Sequence, residues 1–238
     1  MAFTDRHGGV SGAPYDSLNL AFFENGEREV PARNLALLLD DFAPGVPLAD
    51  LSQVHGSRVV LAEPGSPRAE ADGIVTDRAD VVLLVRAADC VPVLLADPRA
   101  GVIGAAHAGR PGVASGVVTE TVGAMRDLGA RDLVAWIGPH VCGACYEVPA
   151  ELQEEVAAVV PATRATTTWG TPALDIGAGV AAQLAAAGVR LIGEVDASGC
   201  TRESADLYSY RRDGAGSGRL AGLIRIHGSE QSEQGVPR

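Results

Sequence analysis

The chain has 238 residues, 47% of them hydrophobic, with a formal net charge of −11 and a pI of about 4.8. A chain of this size buries a full core without disulfides to stabilise it. Its negative field repels phosphate backbones and anionic lipid surfaces, which argues against nucleic acid and membranes as partners. The polar residues 1–7 lack the apolar segment of a secretion signal. We therefore expect a cytoplasmic protein whose cysteines stay reduced.

Short runs rich in Val, Ile and Leu predict buried strands, and longer segments of helical periodicity predict helices. In chain order these are a helix over 31–42, strands near 57–62, 73–76, 81–86, 91–96 and 102–106, a helix over 113–128, a strand near 133–137, helices over 150–160 and 174–187, and strands near 190–195 and 221–227. This order favours mixed sheets covered by helices. We predict one α/β domain over 1–228 and a polar tail over 229–238 that is hydrophilic enough to be disordered.

The most informative segment, 88–109, predicts a β-hairpin. A two-residue loop at 98–99 would place Cys90 opposite His107, with Cβ atoms roughly 5 Å apart. A longer loop would make the two residues diagonal neighbours. In both registers a thiol and an imidazole meet at the open end of the hairpin, which suits a shared metal ion.

His55 is the candidate for a third ligand, because Gly56 beside it lets the backbone pass close to a site. Three protein ligands would leave the fourth tetrahedral position for water or substrate, which is the arrangement of catalytic zinc. Spacing alone leaves an alternative open. In it Cys90 is a small buried residue, His107 is a hydrogen-bonded residue at a strand end, and His55 belongs to an ordinary loop.

Eight motifs in order link the chain to a known family. They are FTDRHGGVS (3–11), SLNL (17–20), QVHG (53–56), ADGIVTD (71–77), ADCVPVLLAD (88–97), AAHAG (105–109), CYEV (145–148) and SYRRDG (209–214). Over nearly its whole length the chain resembles the YfiH/laccase-domain family, also called polyphenol oxidase-like or peptidoglycan-editing-factor-like proteins. The resemblance implies a four-layer α/β/β/α fold. It also implies phosphorolysis of adenosine, inosine and methylthioadenosine, with phosphate as the second substrate, or deamination of adenosine.

The resemblance also implies a metal centre. In that family the histidine of QVHG, the cysteine of ADC and the histidine of HAG bind zinc, so His55, Cys90 and His107 would be the ligands and the catalytic centre here. Copper is the less favoured metal, and a multicopper laccase needs many more imidazoles than the five His present. Where relatives carry Trp and Arg after HAG, this chain has Arg110 and Pro111, a change that would alter a stacking or anion contact, so phosphate handling is the property that the resemblance supports least.

Four side chains are candidates for substrate binding. Arg211 and Arg212 concentrate positive charge in an acidic chain and suit either a bidentate clamp on phosphate or pairing with nearby carboxylates. Tyr146 suits contact with a purine, although a strand Tyr is more often a core residue. Arg110 occupies the position of the family Trp, which would lie beside the metal.

A second group of cysteines comprises Cys142, Cys145 and the distant Cys200. With His140 they would suit a Cys₃His structural zinc site. The favoured interpretation is packing or lining of the pocket, because the second half-site holds a lone Cys. A thioredoxin-like redox role is disfavoured by the Gly and Pro residues around the C-x-x-C segment.

Two other functions stay open beside the zinc nucleoside enzyme. Cys90 as a thiolate nucleophile, with His107 as its base, would make a metal-free cysteine amidase acting on a small peptide or a peptidoglycan precursor. A chain that keeps the fold but has lost anion contacts, as the change at 110–111 permits, would be a noncatalytic metal-binding protein.

Overall fold

The computed structural model describes residues 1–21, 28–193 and 199–227. Its strands are β1 (Ala2–Phe3), β2 (Leu48–Ser52), β3 (Val59–Leu61), β4 (Ala69–Glu70), β5 (Gly73–Thr76), β6 (Val82–Ala87), β7 (Val91–Asp97), β8 (Val102–Ala108), β9 (Val134–Ile137), β10 (Arg164–Thr166), β11 (Pro172–Leu174), β12 (Arg190–Leu191) and β13 (Leu220–Ile224). Its helices are α1 (Glu29–Phe42), α2 (Arg110–Ser115), α3 (Val117–Asp127), α4 (Ala150–Val159), α5 (Ile176–Ala186) and α6 (Tyr210–Asp213). The predicted tail over 229–238 lies outside the described residues.

Two mixed sheets form the centre of the fold. One has five strands in the order β1-β13-β6-β2-β4, and the other has six in the order β12-β9-β7-β8-β5-β3. β10 and β11 form a separate two-stranded sheet. The antiparallel hairpin of β7 and β8 lies in the middle of the six-stranded sheet, between β9 and β5. The ends of this hairpin are therefore held from both sides.

The side chains of β6 show how the layers are stacked. Val82 and Leu84 pack in one apolar cluster with α1, whereas Leu83 and Val85 pack in another cluster with residues of the six-stranded sheet. The opposite face of that second sheet packs against α2 to α5. This arrangement confirms the predicted four-layer α/β/β/α fold in a single domain. Because both faces of each central strand are buried, the sequence is apolar without alternation.

The register of the hairpin corrects one sequence expectation. Asp97 pairs with Val102, and His107 lies opposite Pro92, so the connecting loop has four residues and the two-residue loop was wrong. The reason is chemical, because the Asp97 carboxylate accepts two backbone N–H groups within the loop and thereby widens it. Cys90 and His107 are consequently diagonal neighbours, which is the alternative register.

The predicted helix over 113–128 is also corrected. Gly116, at φ 85°, divides it into α2 and α3, because a left-handed residue ends the first helix. The sequence reading missed the short strands β1, β4, β10 and β11, the strand β2 and the short helix α6. The predicted strand near 190–195 consists of β12 as far as the structure describes it. Within the described ranges, no helix has the length and apolarity to cross a membrane.

Candidate metal centre

Three predicted ligands converge at one edge of the sandwich between the sheets. One donor atom from each of His55, Cys90 and His107 lies within 4.8 Å of the other two. The two imidazole rings are 4.9 Å apart between centroids and meet edge to face at 77°. Cys90 and His107 come from the open end of the central hairpin, and His55 comes from the loop after β2. Long-range folding therefore brings together a nitrogen, sulfur and nitrogen donor set.

Asp72 orients one of these ligands. Its side chain is fully buried, and one carboxylate oxygen accepts a hydrogen bond of 2.8 Å from Nδ1 of His107. Burial alone would raise the pKa of Asp72, but the hydrogen bonds from His107 and from backbone N–H groups outweigh it and lower that pKa. The carboxylate therefore stays ionised and leaves Nε2 of His107 facing the other donors. Such carboxylate–histidine pairs fix the ring of a metal ligand.

The same carboxylate also shapes the loop that carries His55. It accepts the backbone N–H groups of Val54, His55 and Gly56 at 2.7 to 3.2 Å. His55 has φ 62°, a left-handed conformation that costs free energy in a non-glycine residue and is found at functional sites. Asp72 offsets this cost. Asp72 lies in the motif ADGIVTD, but the sequence alone did not predict its role. The only signal was a lone carboxylate directly before a buried strand.

Gly109 leaves room at the centre of the site. A Cβ atom at this position would lie 2.7 Å from Cδ2 of His55 and 3.0 Å from Sγ of Cys90. Only glycine therefore permits the two ligands to approach the backbone this closely. The site has three soft or borderline donors, an oriented Nε2 on His107 and free space beside Gly109. These features fit a metal ion held by three protein ligands, with one coordination position open.

Cys90 and His107 perturb each other strongly. Burial alone would raise the pKa of the Cys90 thiol, but the charge and hydrogen bonds of His107, with a contribution from His55, lower it to about 6. Burial alone would lower the pKa of His107, but Cys90 and Asp72 raise it to about 9. Without a metal, the pair is therefore a thiolate and an imidazolium at neutral pH. A thiolate is the form in which Cys binds metals.

The three donors open into a cavity of about 1030 Å³. Its described lining carries one carboxylate, that of Asp89, and six arginines, which are Arg28, Arg68, Arg86, Arg110, Arg211 and Arg219. The apolar part of the wall is formed by Leu51, Pro111, Val141, Tyr146 and Ile176. Arg68 and Arg86 pair with the Asp50 carboxylate. Arginines concentrated in one cavity of a chain of net charge −11 favour an anionic ligand.

Arg110, Tyr146 and Arg211, three of the four residues predicted to bind substrate, line this cavity. The guanidinium of Arg211 is 4.4 Å from the centroid of the Tyr146 ring, and it donates a 2.8 Å hydrogen bond to the carbonyl of Glu147. These contacts hold the charged group in place before any ligand arrives.

Arg212 lies elsewhere and is absent from the described lining of the cavity. Its guanidinium donates to the carbonyls of Thr201, Ser204 and Leu207 and pairs with the Asp213 carboxylate through two nitrogens. These contacts stabilise the loop before α6. In this structure the neighbouring arginines Arg211 and Arg212 therefore have different surroundings.

The other cysteines also converge, although not as expected. Donor atoms of Cys142, Cys145, Cys200 and Glu203 lie within 4.8 Å of one another. His140 is outside this group, and its Nδ1 lies 2.8 Å from the carbonyl oxygen of Gly138. The Cys₃His alternative therefore does not describe this group, in which a carboxylate occupies the fourth place. The three cysteines pack in or against the apolar core and are not among the described residues that line the cavity. Burial raises the pKa of both Cys142 and Cys145.

The fold and the donor set together define a class: four-layer α/β/β/α proteins with a candidate three-ligand metal centre in an arginine-lined cavity. Residues 1–227 match the family model described as multi-copper polyphenol oxidoreductase laccase, and the chain belongs to that family. The predicted family resemblance is confirmed.

Similar proteins fall into curated relatives and solved structures. The chain is 48% identical over 236 residues to a purine nucleoside phosphorylase of Streptomyces coelicolor, covering 94% of each chain. It is 45% identical over 228 residues to a purine nucleoside phosphorylase of Mycobacterium tuberculosis, covering 93% of this chain and 89% of the relative. The crystal structure of YlmD from Geobacillus stearothermophilus matches with a TM-score of 0.83 at 29% identity, covering 95% and 91%. A Neisseria meningitidis protein matches with a TM-score of 0.82 at 32% identity, covering 95% and 93%.

Proposed function

We propose that the chain is a zinc-dependent purine nucleoside phosphorylase, with adenosine, inosine or methylthioadenosine as the nucleoside. The observation that carries the proposal is the opening of the His55, Cys90 and His107 donors into an arginine-lined cavity. Phosphorolysis needs a site for an anion and a site for an apolar base side by side, and this cavity offers both. The names of the Streptomyces and Mycobacterium relatives support the same reaction.

The donor set suits zinc. His55, Cys90 and His107 would hold the ion and leave one coordination position for a ligand. When bound, zinc would supply Lewis acidity that stabilises negative charge developing on a nearby oxygen or nitrogen. Asp72 would keep Nε2 of His107 directed at the ion, and Gly109 would keep the space clear.

Arg110 and Arg211 are the proposed phosphate contacts. Both line the cavity, and a guanidinium donates two parallel hydrogen bonds to a phosphate group. Because Tyr146 and the carbonyl of Glu147 already hold Arg211, little side-chain entropy is lost when phosphate binds. Arg110 replaces the family Trp, so this chain carries an additional cation where relatives have an aromatic ring.

The apolar wall beside Tyr146, Val141 and Ile176 is the proposed site for the purine. Fixing phosphate and nucleoside in one cavity turns a bimolecular encounter into a positioned reaction. A phosphate oxygen forms a bond to C1′ of the sugar while the C1′–N9 bond breaks. The purine leaves with the bonding electron pair and takes up a proton, which yields the free base and the sugar 1-phosphate.

Chromatography of adenosine incubated with phosphate and zinc-loaded protein tests this function. We expect adenine and ribose 1-phosphate from the wild type and neither product from Cys90→Ser. Inosine as the product would instead establish deamination at the same centre. Loss of zinc and of turnover together in Cys90→Ser, with an unchanged melting temperature, would tie the activity to the metal centre.

A cysteine amidase is the second candidate. The spatial arrangement favours it, because Cys90 lies beside His107, which in turn is hydrogen-bonded to Asp72. A thiolate nucleophile with a pKa lowered to about 6, a histidine that holds the proton and a carboxylate that orients the histidine form a catalytic arrangement without any metal. Cleavage of peptidoglycan-precursor peptides that persists after chelation and disappears in Cys90→Ala would establish this function. Zinc binding without turnover of nucleosides or peptides would leave a noncatalytic metal-binding protein.

A further inference from the structure

A second cluster of potential ligands lies outside the cavity lining just described. Cys142, Cys145, Cys200 and Glu203 each place a donor atom within 4.8 Å of the others. We propose that these four side chains form a second, structural metal site that binds one zinc ion or a similar thiophilic divalent cation. This site is additional to the catalytic centre and independent of the reaction proposed for it.

The two halves of the cluster have the same spacing. Cys142 and Cys145 are three residues apart in a turn closed by a 3.0 Å hydrogen bond from the N–H of Cys145 to the carbonyl of Cys142. Cys200 and Glu203 are also three residues apart, in a turn at 201–203. Paired ligands on short turns are the usual way in which proteins build structural zinc sites. The sequence did not predict this group because the ligand paired with Cys200 is a carboxylate, Glu203, and not a second cysteine.

The turns are already brought together by backbone contacts. The N–H of Cys142 donates to Sγ of Cys200 at 3.4 Å, and the N–H of Thr201 donates to the carbonyl of His140 at 2.9 Å. Gly143 allows close approach to α5, because a Cβ there would lie 2.7 Å from the Cβ of Asp175. The main chain thus holds the two turns that carry the donors next to each other.

The distances suit a metal ion better than a disulfide. Zinc–sulfur bonds of about 2.3 Å at the tetrahedral angle place two sulfur atoms about 3.8 Å apart, so donors within 4.8 Å need to move only slightly. All three cysteines are free thiols. A disulfide would use two of them and leave the third and Glu203 without a partner. On binding, each coordinating thiol releases its proton to solvent.

A metal ion at this second site would stabilise residues that position the catalytic centre. The hydroxyl of Thr201, next to Cys200, donates to one oxygen of Asp89 at 2.6 Å. The backbone N–H of Arg211 donates to the other oxygen of Asp89 at 2.6 Å. Asp89 has φ 85° and directly precedes Cys90. A metal at the second site would therefore fix the residues that hold Cys90 and Arg211 in place.

Metal content and cobalt spectra of the full chain test the second site. We expect two zinc ions per chain in the wild type by plasma mass spectrometry and one in Cys142→Ser/Cys200→Ser. Because that variant could fail to fold, a Cys90→Ser chain loaded with cobalt provides a second measurement. In this chain every thiolate-to-cobalt charge-transfer band arises from the proposed cluster, and we expect a band as intense as three thiolates produce.

Single substitutions then separate the carboxylate from general surface charge. In the Cys90→Ser chain, Glu203→Gln should weaken zinc binding at least about tenfold in a competition with a chelator, because a neutral amide is a poor zinc ligand. Glu155→Gln, an exposed change outside the cluster, should leave the affinity unchanged. Absence of the charge-transfer band in cobalt-loaded Cys90→Ser, or a mass that shows a disulfide among Cys142, Cys145 and Cys200, would overturn the proposal.

Discussion

The two clusters of potential metal ligands differ in the elements of the fold that carry them. His55, Cys90 and His107 stand at the end of a central hairpin and in the loop beside it, and a buried carboxylate orients them. The second cluster stands on two short turns, in which Cys145 is buried, Cys142 and Cys200 are half-buried and Glu203 is exposed. The first cluster has three donors that face a cavity. The second has four donors, and none of them is among the described residues that line this cavity. Three donors leave a position for chemistry, whereas four close the site.

This difference concerns charge as well as geometry. In the first cluster His107, with a contribution from His55, outweighs burial and lowers the pKa of Cys90, so the sulfur is ready for a metal or for nucleophilic attack. In the second cluster burial, and then the neighbouring thiols, raise the pKa values of Cys142 and Cys145 and disfavour their thiolates. The same residue type therefore has opposite reactivity at the two places.

The largest expected effect is a difference between the two clusters in how the alkylation rate of their thiols depends on pH. In chelator-treated protein the alkylation rate of Cys90 should have a midpoint near pH 6, because its thiolate persists above the lowered pKa and is lost as the pH falls through it. The pKa values of Cys142 and Cys145 are raised above the usual 9.0, so their alkylation should still be increasing at pH 9. Three pKa units correspond to about a 1000-fold difference in the thiolate-to-thiol ratio.

Peptide mass spectrometry after a short pulse of iodoacetamide assigns the rate to each cysteine. Reloading with zinc should protect Cys90 and, if the second site binds metal, the other three as well. A Cys90 profile that rises only above pH 8 would remove the contrast between the clusters.

The next largest effect is expected from Asp72→Asn, which should change metal binding at the first cluster alone. An amide cannot replace an ionised carboxylate that accepts Nδ1 of His107 and three backbone N–H groups. We expect zinc affinity at the first site to fall about 10- to 100-fold and the free energy of unfolding to fall by about 2–3 kcal/mol. Competition with a chelator in Cys142→Ser/Cys200→Ser protein measures the first site separately.

The matched control is Asp127→Asn, an exposed residue at the end of α3. It should leave both the affinity and the unfolding free energy within error of the wild type. Equal zinc affinity in Asp72→Asn and Asp127→Asn would show that the carboxylate does not orient His107.

The contrast between the clusters also explains what the sequence could reveal. β7 and β8 are long apolar runs with a short loop between them, so their pairing is predictable, and both registers bring Cys90 near His107. The layer order was implied by family resemblance, and the strand pattern agreed with it. Short strands such as β4 and β12 have too few residues for any periodicity.

The residues that the sequence missed share one property, which is that long-range contacts decide their roles. Asp72 holds the loop of His55 from 17 positions away, and Glu203 joins Cys142 across more than 50 residues of chain. Local patterning cannot report such pairs. Arg211 and Arg212 are adjacent and identical in chemistry, so only the short helix α6 distinguishes the one in the cavity from the one that stabilises a loop.

Arg211→Ala and Arg212→Ala should therefore separate phosphate binding from stability. Loss of the guanidinium in the cavity should raise KM for phosphate about tenfold, since a hydrogen bond to a charged group contributes about 1.5–3 kcal/mol. Arg212→Ala should leave that KM near the wild-type value. It should instead lower the free energy of unfolding by about 2–4 kcal/mol, because three carbonyls and Asp213 lose a charged donor.

Steady-state kinetics at varied phosphate and chemical denaturation, each on both variants, provide the comparison. Lysine at each position is a useful further change, because it keeps the charge and loses the planar fork. A KM increase in Arg212→Ala equal to that in Arg211→Ala would place both arginines in phosphate binding, as the sequence alone suggested.

The smallest effect expected is at Gly109, where the first cluster depends on space and not on charge. An added methyl group would lie 2.7 Å from Cδ2 of His55 and 3.0 Å from Sγ of Cys90. His55 is exposed and able to shift, so Gly109→Ala should weaken zinc binding at the first site by about 1 kcal/mol, or about fivefold. Gly123→Ala in α3 is the matched control, because a Cβ there meets nothing within 4 Å, and it should stabilise the helix slightly without changing zinc affinity. If both variants bound zinc equally well, the close approach at Gly109 would serve the turn into α2 and not the metal centre.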